Sequence, residues 1–89
     1  MGTESKKKSL LSLSDCVGMA IREARKESGF SQQDLADDSG VSRVHICNVE
    51  AGRHDLPISR FFAISQALLI SGSQMAERVE RHLDGGRRS

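Results

Sequence analysis

The chain has 89 residues, a formal net charge of +1 and three aromatic residues, all Phe. That length suits one domain with a modest core, and a core without Trp or Tyr must come from Leu, Ile, Val, Ala and Met, which fits small helices crossing closely better than a sheet. Two isolated cysteines make no disulfide framework, no stretch approaches the ~20 apolar residues of a membrane span, and "KKKSLLSLSDC" is too short in its apolar part for a secretory signal.

In chain order, residues 1–12 read as a flexible basic N-terminal arm carrying Lys6–Lys8, residues 13–84 as one helical domain and residues 85–89 as a flexible tail with Arg87 and Arg88. Charge runs at termini more often solvate than bind. The first helix is expected to start at Ser14, with Asp15 at its positive end. Val17, Ile21, Ala24 and Ser28 form one stripe, and Gly29 stops the helix. Ser31 caps a second helix with Asp34 in a capping-box position, and Leu35 and Ala36 face inward. After Gly40, Ser42 caps a third helix, "RVHICNVEA", which turns Ile46 and Val49 inward and ends at Gly52. Pro57 suits the first turn of a fourth helix, whose apolar face of Ile58, Phe61, Phe62, Ile64, Ala67 and Leu68 is broad. Ser71 and Gln74 open a fifth helix with Met75, Val79 and Leu83 along one side, before "DGGRRS" frays off.

Two short helices joined at a steep angle need a small residue at the crossing, a residue tolerant of positive φ in the turn, and apolar residues one turn apart to seat the second helix. Ala36, Gly40, Ile46 and Val49 supply these in order, with Leu35 and Val41 as further core plugs. The pattern is that of a helix-turn-helix; the plain alternative is an ordinary corner between two helices.

From about Ile21 to Met75 the chain resembles the Cro/C1-type, lambda-repressor-like helix-turn-helix family, in "IREARKESGFSQQDLA", "SGVSRVHICNVEAGR" and "FFAISQAL". The resemblance implies a compact all-α domain of five helices that acts as a dimeric transcription regulator. It also implies a largely buried ion pair between Arg25 and Glu50, tying the first helix to the end of the third. Three departures stand out. Ala24 replaces the usual Leu and leaves space for Phe30, Phe61 or Phe62. Pro57 comes one residue late, with Leu56 in its usual place. Leu69 replaces the glycine that ends the fourth helix, which predicts either a rearranged corner or a longer helix, because a side chain in the left-handed region is costly.

Opposite Ile46 and Val49 the third helix carries Arg43, Val44, Cys47 and Asn48, with His45 at the edge. A helix in the major groove meets base edges with its N-terminal residues. Arg43 can fork onto guanine, Asn48 can pair with adenine and Val44 can pack on a thymine methyl; the family's base-reading positions fall on the same three residues. Phosphate contacts are expected from Gln32, Gln33, Ser42, His45 and Arg53. The free amides of the second helix form an anion site by geometry, and the family resemblance points to Gln32 and Arg53. The plain alternatives are a solvated face for Arg43 and Asn48 and a rim charge for Arg53. Asp34, Asp37 and Asp38 must then point away from DNA. His45, His54, His82, Cys16 and Cys47 lack metal-ligand spacing; Cys16 reads as a small buried apolar residue, and no nucleophile with a base and an orienting group is evident. No enzyme activity, cofactor or metal is expected.

Ile58, Phe62, Leu69, Ile70, Met75 and Val79 exceed what a small core needs and suggest a homodimer through helices 4 and 5, with recognition helices about 34 Å apart. The sequence therefore predicts a repressor or controller-type regulator binding double-stranded DNA at a short palindromic operator. It is expected in the cytoplasm, nucleoid-associated when bound, with no membrane partner and a protein partner as an option. The rival is a protein-interaction module of the same fold, such as an antitoxin or a transcription bridging factor.

Overall fold

A computed structural model describes residues 11–88, with side chains as far as Gly85. Of the expected basic arm, residues 1–12, all but Leu11 and Ser12 lie outside the described residues. Among the described residues five helices follow one another: α1 (Leu13–Glu27), α2 (Gln32–Ser39), α3 (Arg43–Glu50), α4 (Ile58–Ala67) and α5 (Gly72–Arg88). No strand occurs among the described residues.

Helix α1 opens at Ser12, two residues before the expected cap. Ser12 Oγ accepts from the Asp15 amide at 3.0 Å and Asp15 Oδ2 accepts from the Ser12 amide at 3.2 Å. The reason is reciprocity: Ser12 has a carboxylate three residues on, whereas Ser14 has Val17, which cannot return the bond. Ser14 instead donates from the first turn to Asp55 Oδ1 at 2.5 Å. The expected caps at Ser31, Ser42 and Ser71 are all made.

Helices α1 and α3 pack together, α5 lies along α1, α2 rests on α3 and α4, and α4 touches α5. The core gathers Ile21, Leu35, Ile46, Val49, Ile64 and Met75, all fully buried. Cys16 is buried among them, and burial pushes its thiol above the usual range, with Asp15 adding to the effect. Gly18 marks the α1–α3 crossing: a Cβ there would overlap the Val49 carbonyl oxygen and lie 2.8 Å from that of Glu50. Phe30 and Phe61 pack on the core, while Phe62 stays half-exposed over Gly72.

The end of α4 resolves the departure at Leu69. The residue adopts φ 61° and closes the turn that a glycine would make. The Leu69 amide donates to Gln66 O at 3.0 Å and the Ile70 amide to Ser65 O at 3.1 Å, the paired bonds of a Schellman end. The corner is neither rearranged nor extended, because those bonds and the burial of Leu68 hold it.

Helix α5 is clamped to α1. Arg78 donates two parallel bonds to Glu27, at 2.7 and 3.0 Å, and His82 Nε2 lies 2.9 Å from Glu23 Oε2. Met75 and Val79 are buried in the protomer's own core and Leu83 packs against it. The free apolar surface expected on helices 4 and 5 therefore shrinks to Ile58, Phe62 and Leu69, with Ile70 half-buried. The helix runs on to Arg88, past the point where the sequence predicts fraying.

Candidate nucleic-acid interface

The turn between α2 and α3 uses Gly40 at φ 78°, and Ser42 Oγ then caps α3 by accepting from the His45 amide at 3.1 Å. Burial of Ile46 and Val49 seats α3 from below. The helical period therefore turns Arg43 and Val44 outward; Val44 is 64% exposed, high for a valine. Asn48 and Cys47 lie half-buried on the same side.

The C-terminal end of α3 is anchored by the Arg25–Glu50 pair. Arg25 Nε and Nη2 donate to the two Glu50 oxygens at 2.6 and 2.9 Å, and Arg25 Nη1 donates to Phe30 O at 2.8 Å. Those hydrogen bonds to Glu50 push the guanidinium above its ordinary range. Removing one partner would strand a charge with side-chain exposure of 5–10%, at a cost of roughly 3–5 kcal/mol.

Gln32, in the first turn of α2, donates from Nε2 to Glu50 Oε1 at 3.1 Å, which ties the start of α2 to the end of α3 and leaves its second amide proton available. Gln33 is exposed but donates to Asp37 at 2.9 Å. Ser42 uses its oxygen as a cap and keeps its hydroxyl proton. Arg53 is exposed and donates to Asn48 Oδ1 at 3.3 Å. Asp34 serves the α2 cap, where bonds from the Ser31 backbone and side chain hold its carboxyl below the usual range. Asp37 and Asp38 are exposed on the outer side of α2.

His45 has a different setting from that of a surface phosphate contact. Its Nε2 is buried without a hydrogen-bond partner, and its ring lies 6.1 Å from that of His54. Burial first, then Arg60 and His54, hold its pKa below the ordinary value. Sequence reasoning missed this cluster, the Gln32–Glu50 link and the Asn48–Arg53 bond. Only the last left a signal, two polar residues flanking a helix-ending glycine. Among the described residues, no group of three His, Cys, Asp or Glu side chains could hold a metal ion and no helix is long and apolar enough to cross a membrane. A cleft of about 530 Å³, lined by Leu13, Val17, Phe61, Val79 and Leu83, lies between α1, α4 and α5, away from the outward face of α3.

A family model described as helix-turn-helix matches residues 21–75. The fold is similar to that of the clp gene regulator ClgR from Corynebacterium glutamicum, with a TM-score of 0.79 at 23% identity over 83% of this chain and 95% of that one. It is also similar to the restriction-modification controller protein C.AhdI from Aeromonas hydrophila, with a TM-score of 0.68 at 29% identity over 70% and 94% of the two chains. A third likeness is to the controller protein C.Esp1396I, solved as a tetramer with its natural operator, with a TM-score of 0.75 at 27% identity over 82% and 96%. No match was found among curated proteins.

Proposed function

The chain belongs to the Cro/C1-type helix-turn-helix family of DNA-binding transcription regulators, and we propose that it acts as a homodimer on a short palindromic operator. The observation that carries this reading is the outward half of α3: Arg43 and Val44 stand free, while Ile46, Val49 and the Arg25–Glu50 pair hold the helix rigidly from behind. A helix so mounted can enter the major groove by its N-terminal end. Arg43 donates to guanine, Val44 packs on a thymine methyl and Asn48 contacts the next base edge.

Gln32, Gln33, Ser42 and Arg53 flank that face and contact phosphates; the second amide proton of Gln32 and the hydroxyl proton of Ser42 serve this role. His45 is left out of the phosphate set, because its Nε2 is buried and turned away from the outward face of α3. The controller protein solved with its operator, 27% identical to this chain, supports double-stranded DNA as the partner. The exposed Ile58, Phe62 and Leu69 support a second copy as the other.

The test is selection of bound duplexes from a random pool, followed by titration of the winner at several salt concentrations. A groove binder loses affinity steeply, with log affinity falling by about 0.9 per log salt for each phosphate neutralised. Arg43→Ala is expected to weaken the selected site by roughly 1–3 kcal/mol without altering the melting curve. A protein that selects no duplex, or binds with a flat salt response, is a protein-docking module instead.

A further inference from the structure

The first turn of α3 is held at its start and from below. Ser42 Oγ accepts from the His45 amide at 3.1 Å, and Ile46 is fully buried. Val44, the second residue of the helix, stands on that fixed backbone and turns away from the core. It is 64% exposed, and it belongs neither to the core nor to the half-buried apolar side chains packed against it. The other large exposed apolar side chains among the described residues lie on α1, on α4 or in the segments beside them. Among the described residues of α2 and α3, Val44 is the one such side chain.

A valine is a poor choice there on helical grounds, because its branched Cβ loses χ1 freedom and its methyls stand in water. The same branching gives it stiffness. In a helix a valine keeps one χ1 rotamer about nine times in ten, so its methyls point in a set direction. Contact with an apolar partner then costs little further side-chain order. In the major groove the apolar partner on a base edge is the methyl group at C5 of a pyrimidine.

Taking α3 as the groove-reading element, as above, we propose that Val44 reads the C5 methyl itself, whichever pyrimidine carries it. Thymine always carries that methyl, and 5-methylcytosine carries it at the same ring atom. Valine has no hydrogen-bonding group with which to tell the thymine O4 acceptor from the cytosine N4 donor. Methylation of a cytosine at the facing position therefore strengthens binding, and the chain responds to the modification state of its site. Burial of one methyl group is worth about fourfold in affinity.

The test uses the full chain on its selected duplex, with each thymine replaced in turn by uracil, which removes the methyl and nothing else. One position in each half-site is expected to weaken by about fourfold. Val44→Ala, with an unchanged melting curve, binds the thymine and uracil duplexes equally there, whereas Arg43→Ala weakens both and keeps the difference between them. Cytosine opposite guanine at that position binds less tightly than thymine opposite adenine, and 5-methylation of the cytosine restores about fourfold to the parent and nothing to Val44→Ala. Three results overturn the inference while the selected motif keeps the groove reading: no thymine whose change to uracil weakens binding, a methyl effect that survives in Val44→Ala, or no gain from 5-methylcytosine. A chain that selects no duplex sinks the groove reading and the inference together.

Discussion

At Leu69 a leucine holds φ 61° with the residue 92% exposed. The left-handed region costs an L-residue about 1–2 kcal/mol. A glycine would relieve that cost but adds freedom to the unfolded chain, which takes back about 0.4–1 kcal/mol. Leu69→Gly is therefore expected to stabilise the protomer by roughly 0.5–1 kcal/mol, read as a higher urea midpoint with an unchanged slope. His45 argues in the opposite direction. Its folded pKa lies below the ordinary value because of burial, Arg60 on α4 and His54 in the following loop. The unfolded chain takes up the proton first as pH falls, so stability is full at neutral pH and declines as pH drops through the ordinary histidine range near 6.5. His45→Gln should flatten that decline between about pH 7 and 5, seen as convergence of the variant and parent melting curves against pH.

Among the elements, α1 shows how a cap is chosen. Ser12 and Ser14 are both good N-cap residues, and only Ser12 finds a carboxylate at the third position to complete the box. Ser12→Ala should cost about 1 kcal/mol and speed hydrogen exchange at the Asp15 amide. Ser14→Ala should leave that amide protected and release only the bond to Asp55. If Ser14→Ala exposed the Asp15 amide, the cap assignment would be wrong. Helix α3 is shorter and depends more on its surroundings: Ile46, Val49 and the Arg25–Glu50 pair hold it, because isolated helices of that length are marginal in water.

Across the whole molecule, α5 decides how much surface is left for a second copy. Its Met75–Val79 stripe closes the protomer core, and Arg78 and His82 bind it to α1. The proposed dimer draws on the exposed Ile58, Phe62 and Leu69, with neighbouring residues, toward the ~800 Å² per partner of a stable interface. The double variant Phe62→Asp with Leu69→Asp is expected to weaken self-association at least tenfold in sedimentation equilibrium and to turn operator binding into two independent half-site events. A double variant that associates like the parent would move the interface elsewhere. Leu69→Gly, more stable as a protomer, should also associate less tightly.

The sequence alone determined the five helices of the described residues, the turn between α2 and α3, and the outward placement of Arg43 and Val44. Each rests on local rules: caps three residues from their partners, glycine at positive φ, and a period of 3.6 that fixes Arg43 and Val44 opposite Ile46 and Val49. Ser12 is legible by the same rule, since Asp15 stands three residues on, where its neighbour Ser14 has Val17. Only the tertiary structure decided that Gly18 is the α1–α3 crossing, that Met75 and Val79 belong to the protomer, that His45 Nε2 turns inward, and that Arg53 engages the Asn48 oxygen. Those outcomes depend on which helix lies over which and on which partner a polar atom finds, and a helical period repeats without recording either.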